Sequence, residues 1–178
     1  MNQEQLAHVL RAAAKIAGDP RILVIGSQAV LGTFDDQDLP LEATRSVEAD
    51  IVFLDDPDAS KADEVDGAIG EESEFHRTYG YYGQGVTLST AVLPEGWQDR
   101  VVRFPREDAA PSRASCLEIY DIAAAKLVAG REKDFEYVKA LVVAHLLDVD
   151  VLRQRCELIP APAGVRTRVL KWIDRVRT

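Results

Sequence analysis

The sequence predicts a mixed α/β (α+β) protein, with a small mixed sheet in its first part and a helical C-terminal part. Three observations carry that reading. Ile22-Leu23-Val24-Ile25 is an apolar run of strand length, too short for a helix, and it stops at Gly26-Ser27. Arg45–Phe53 reads as a second strand, in which alternate side chains share a face. From Cys116 onward the apolar residues recur at helical spacing. With 178 residues the chain is most simply one domain. It would comprise an α/β core over 1–115 and a helical part over 116–178 packed on it.

The elements follow in order. Leu6, Val9, Leu10, Ala13 and Ile16 predict a helix over 3–17 that stops at Gly18. Asp19-Pro20 turns the chain into the first strand, and Gln28–Gly32 reads as one or two helical turns. A glycine turn before a helix N-terminus presents backbone N–H groups suited to phosphate. Thr33–Glu42 reads as an exposed polar loop. In the second strand Glu48 and Asp50 project side by side, with Val47, Ala49 and Ile51 opposite. Two carboxylates on one face repel each other, and a divalent cation would remove the difficulty.

Beyond the turn Asp55–Asp58, Ser60 is expected to cap a short helix ending near Ile69. His76 has no second His at metal-ligand spacing, which speaks against zinc. Tyr79-Gly80-Tyr81-Tyr82-Gly83-Gln84-Gly85 fits a bulged hairpin with packed tyrosines better than a base-stacking wall. Val86–Ser89 reads as a third strand, Trp97 as the anchor of a turn, Val101–Phe104 as a further strand and Pro105–Ser112 as a polar loop. A helix beginning near Asp121 and ending at Gly130 would bury Ile122, Ala125, Leu127 and Val128. The next would bury Phe135, Val138, Leu141, Val142, His145 and Leu146, with Asp134 as an acid of its first turn. Two more helices, near Val149–Leu158 and Val165–Arg177, flank Pro160-Ala161-Pro162, and Trp172 would pack back onto the body.

Composition narrows the function. A hydrophobic share of 47% and a charged share of 29% belong to an ordinary folded protein. No apolar run reaches membrane-span length, and Met1–Gln5 lacks the basic and apolar regions of a signal peptide. The two isolated cysteines, Cys116 and Cys156, have no metal-ligand spacing and suit a reducing cytoplasm. The net charge of −9 opposes loose binding along nucleic acid, because phosphate repels an acidic surface. The charge is uneven: residues 151–178 carry +5 and the first 150 carry −14. That basic tail reads as a solvated helix face or a partner for the acidic body ahead of an RNA-contacting surface.

A strand ending in Gly26-Ser27, a helix, then a strand carrying Glu48-Ala49-Asp50 resembles the nucleotidyltransferase superfamily with the DNA polymerase beta fold. Asp121–Lys126 through Arg131–Asp134 is similar to the helical part of stand-alone bacterial members related to AbiEii-type toxins. The resemblance implies a Mg²⁺-dependent transferase moving a nucleoside monophosphate from an NTP to RNA, a protein or a small molecule, and it extends to a role as half of a toxin–antitoxin pair. It implies that Glu48 and Asp50 hold one or two Mg²⁺ ions and act in catalysis. Gly26, Ser27, Arg45, Lys126 and Lys133 would bind nucleotide, with Arg131 as a further phosphate contact. The pattern departs from the family in two places. The first acid is Glu instead of Asp, and Thr87 or Ser89 stands where a third carboxylate is expected. The departure keeps a second reading open, a degenerate fold that binds nucleotide or a protein partner without turnover. No G-x-G-x-x-G follows the first strand, which sets aside a dinucleotide-binding protein.

Overall fold

The computed structural model describes residues 1–105, 111 and 113–176. Most of the expected loop Pro105–Ser112 lies outside the described residues, as does Arg177 at the end of the expected last helix. Helix α1 (Gln3–Ala17) is capped by Asn2, whose side chain accepts from the Gln5 backbone while Gln5 bonds back to Asn2. This reciprocal box satisfies two otherwise orphaned N–H groups. The helix buries Leu6, Val9, Leu10 and Ala13, as its spacing requires.

Strand β1 (Ile22–Ile25) is buried along its whole length. It pairs antiparallel with β2 (Glu48–Phe53), which starts three residues later than the sequence suggests. Between them the chain makes a six-residue 3-10 turn, Ser27–Gly32. The supposed loop Thr33–Glu42 is more ordered than expected: it contains a 3-10 turn at Asp36–Asp38 and leads into α2 (Leu41–Thr44).

Helix α3 (Ser60–Ile69) covers the expected span, but Ser60 is not its cap. The Asp56 carboxylate accepts instead from the backbone N–H groups of Lys61 and Ala62. Helix α4 (Glu74–Tyr79) ends at Gly80 in the left-handed conformation. The tyrosine–glycine segment then forms strand β3 (Tyr82–Gly85), parallel to β2, and is not a hairpin. The third strand is therefore this segment and not Val86–Ser89, of which Leu88 and Ser89 belong to a 3-10 turn. Packing explains the choice. A Cβ at Gly85 would lie 1.9 Å from the Ala62 carbonyl oxygen, and one at Gly83 would lie 2.7 Å from Val9. Only glycine lets β3 pass this close beneath α1 and α3.

Strand β4 (Val102–Arg103) pairs antiparallel with β5 (Ser115–Cys116), and β5 pairs parallel with β1. Cys116 thus ends a strand, and the helical part begins only at α5 (Ile119–Ala129). The sheet order is β3-β2-β1-β5-β4, a mixed sheet. Helices α6 (Glu132–Val143), α7 (Val149–Glu157) and α8 (Ala163–Val176) complete the chain. In α6 the buried residues are Asp134, Tyr137, Val138 and Leu141; His145 lies past the helix, exposed, with φ of +57°. Trp172 packs on Phe135 with ring centroids 5.5 Å apart, so α8 does fold back. Buried side chains of the sheet and of the C-terminal helices join in one apolar cluster. Among the described residues no helix is long and apolar enough to cross a membrane.

The basic tail is largely engaged within the chain. Arg155 pairs with Glu118 and Asp121, Arg153 with Asp174, and Arg168 donates to the Leu127 and Val128 carbonyls at the end of α5.

Candidate active site

The site forms where β1 ends. Gly26 takes φ of +70°, a conformation that L residues avoid, and a Cβ there would lie 1.9 Å from the Asp50 Oδ2. Glycine is required twice over: by the backbone and by the carboxylate pressed against it. Glu48 and Asp50 stand on one face of β2, as period two dictates, while Ala49 and Ile51 are buried on the other. Asp50 is half-buried and opposite Ile25 in the register. Burial, and then the neighbouring Glu48 charge, push its pKa up to about 6 from 3.8. Lys126, Arg131 and Lys133 pull the other way.

Three of the cations, Lys126, Arg131 and Lys133, arrive from the helical part. Lys126 of α5 lies 3.2 Å from the Asp134 carboxylate and 4.5 Å from the Tyr137 ring centroid. Its burial lowers its pKa, opposed by Asp134. Asp134 is fully buried; burial pushes its carboxyl up, but hydrogen bonds from Arg131 and Lys126 hold it below the usual range. It also accepts from the Arg131 backbone N–H, closing the first turn of α6. Asp134 is thus the acid of the first turn, as read from the sequence, and orients two of the site's cations as well.

A cleft of about 280 Å³ gathers these groups. Gly26, Ser27, Arg45, Glu48, Asp50, Lys126 and Lys133, all singled out by the sequence, line this one space, and Arg131 joins them. Arg45 stands at the rim, 3.0 Å from Glu136, with both side chains about half exposed. Tyr137 is the residue that sequence reasoning missed. It is buried beneath Lys126, and its hydroxyl donates to the Ser27 carbonyl at 2.9 Å, tying α6 to the glycine turn. Its spacing was a usable signal, since it follows Asp134 by three residues on one helix face.

A second pocket of about 340 Å³ opens on the other side of Asp50. It shares Gly26, Asp50, Lys126 and Arg131 with the first, but its remaining walls are mostly apolar.

The register also locates the departure from the resemblance. Tyr82 and Gln84 of β3 stand opposite Glu48 and Asp50, so the strand beside the acidic pair offers a phenol and an amide there. Gln84 reaches away to Asp66 at 2.5 Å. Among the described residues no cluster of three or more His, Cys, Asp or Glu side chains could hold a metal. Two carboxylates nevertheless suit Mg²⁺, which is commonly held by one or two carboxylates together with substrate phosphates and water.

Comparison with curated proteins and with solved structures gave no significant match. A family described as "Nucleotidyltransferase of unknown function (DUF6036)" does match, over residues 4–172.

Proposed function

The chain belongs to this nucleotidyltransferase family, and on that premise we propose that the cleft at Asp50 binds an NTP with Mg²⁺ and transfers its nucleoside monophosphate to an acceptor. The observation that carries the reading is the convergence of one acidic pair and four cations on one cleft around a glycine turn. Two carboxylates without a cation would repel each other, and the raised pKa of Asp50 fits a site completed by a bound positive charge. Glu48 and Asp50 would hold Mg²⁺, which supplies charge neutralisation at the α-phosphate and the departing pyrophosphate.

Phosphoryl transfer depends on positioning and charge more than on a special nucleophile. Gly26 lets the phosphates approach the backbone, and the Ser27 hydroxyl donates to them. Lys126 meets the triphosphate as a point charge, its position fixed by Asp134 and the Tyr137 ring. Arg131, Lys133 and, after release from Glu136, Arg45 neutralise the outer phosphates. The sequence resemblance extends the proposal to a neutralising protein partner, as in a toxin–antitoxin pair, and the buried free thiols of Cys116 and Cys156 suit a reducing cytoplasm.

One observation favours a second reading. With Tyr82 and Gln84 opposite the acidic pair, no carboxylate of β3 completes a trio, which suits a fold that binds nucleotide without turnover.

Calorimetric titration with each NTP, with and without Mg²⁺, tests the site. Metal-dependent binding that is lost in Glu48→Ala and Asp50→Ala supports it. Binding that persists unchanged in both variants puts the nucleotide elsewhere.

A further inference from the structure

The two pockets at Asp50 differ in chemistry and lie in opposite directions along β2. The polar cleft extends toward Glu48 and adds Arg45 and Lys133 to the shared Lys126 and Arg131. The other lies toward Val52, beside Val86, whose backbone N–H donates to the Ile51 carbonyl. Its walls come from three parts of the fold: Ile25 and Leu117 at the strand ends, Ile122 and Ala125 of α5, and Val86 and Val92 of the segment after β3. Apart from the four shared residues, only Thr90 brings a polar side chain among the described residues. An apolar space of this size with a few convergent polar groups is the usual form of a small-molecule site.

We propose that this apolar pocket is the acceptor subsite, and that the acceptor is a small molecule carrying a hydroxyl on an apolar body. The inference rests on the transferase reading above. In phosphoryl transfer the attacking and leaving oxygens lie roughly in line across the phosphorus. With pyrophosphate drawn toward the cations of the polar cleft, the opposite end of that line runs into the apolar pocket. There the acceptor hydroxyl oxygen forms the new bond to the α-phosphorus as the bond to the bridging oxygen breaks. Pyrophosphate leaves with that electron pair, and the hydroxyl proton passes to water. An RNA end would bring further phosphates to mostly apolar walls, on a chain of net charge −9.

The test uses the whole protein and the neutral, apolar dye N-phenyl-1-naphthylamine, whose emission rises in apolar surroundings. Ala129 lines the pocket but is itself exposed, so Ala129→Trp narrows the pocket without burdening the core. Saturable dye binding is expected in the presence of saturating Mg²⁺ and NTP. Ala129→Trp should weaken it roughly tenfold or more, with NTP affinity by calorimetry unchanged. Ala125→Leu, which fills the pocket from within α5, should act in the same direction. The proposal is overturned by competitive displacement of the dye by NTP, which would mean that the nucleoside fills the pocket. It is equally overturned by no saturable binding, by dye binding indifferent to both variants, or by transfer of α-labelled nucleotide to RNA. Failure of the dye with intact NTP binding defeats this proposal alone. Failure of NTP to bind defeats the transferase reading, and this proposal with it.

Discussion

Two aspartates, the half-buried Asp50 and the buried Asp121, have opposite surroundings. Asp121 is fully buried, and both of its oxygens are taken: Arg100 grips it at 2.9 and 3.0 Å, and Arg155 adds a bond at 2.7 Å. Asp50 is half-buried beside another carboxylate, with a glycine against it, and its pKa is raised. A carboxylate matched by two guanidinium groups locks helices together and has no capacity left for a ligand. A carboxylate left short of positive charge costs stability and is retained where something else completes it. The contrast separates the structural ion cluster from the candidate active site.

The comparison can be broken most severely at Asp121. Asp121→Ala should cost about 3–5 kcal/mol in urea unfolding, because two guanidinium groups would be left without their buried partner. Asp50→Asn should do the reverse. The folded-state pKa of about 6 exceeds the ordinary 3.8, so the folded protein holds the extra proton between those values and stability falls as pH rises through them. Above about pH 7 the variant should be more stable than the parent by up to about 3 kcal/mol, and below about pH 4 the gain should vanish. Thermal unfolding across that pH range measures both limbs. An Asp50→Asn variant that is destabilised at pH 8 would make Asp50 a second structural acid.

Gly26→Ala should come next, at about 1–3 kcal/mol, since it forces a strained backbone and displaces the Asp50 carboxylate. Its NTP affinity should fall as well, which a purely structural glycine would not require. Smallest is Glu136→Gln. The pair with Arg45 is exposed, so stability should change by no more than about 0.5 kcal/mol, while Arg45 becomes free to meet phosphate. Equal or tighter NTP binding by calorimetry is the expected outcome, and a clear loss would make Glu136 part of the site.

Legibility in the sequence followed the range of the interactions. The acidic pair was readable because a period of two places Glu48 and Asp50 together without any tertiary knowledge, and Gly26-Ser27 marks the strand end. Strand β3 was not, because Tyr-Gly-Gln-Gly has poor strand propensity and exists as a strand only through the close approach of α3. Strand β5 was hidden because two residues carry no periodicity, and their pairing with β1 bridges more than ninety positions. The Asp121 cluster was equally silent: its partners come from positions 100 and 155. The cations of the cleft were accessible only through resemblance, since Lys126 and Lys133 look like ordinary helix-surface charge until α5 and α6 are folded over Asp50.

The most direct measurement is an NMR titration of the Asp50 carboxyl carbon with and without Mg²⁺, using the Asp50→Asn variant to assign the resonance. A midpoint near pH 6 that moves clearly lower when Mg²⁺ is added is the expected result, because the cation binds the ionised form. A midpoint near 3.8 that ignores Mg²⁺ would contradict the claim that Asp50 is a carboxylate held in wait for a cation.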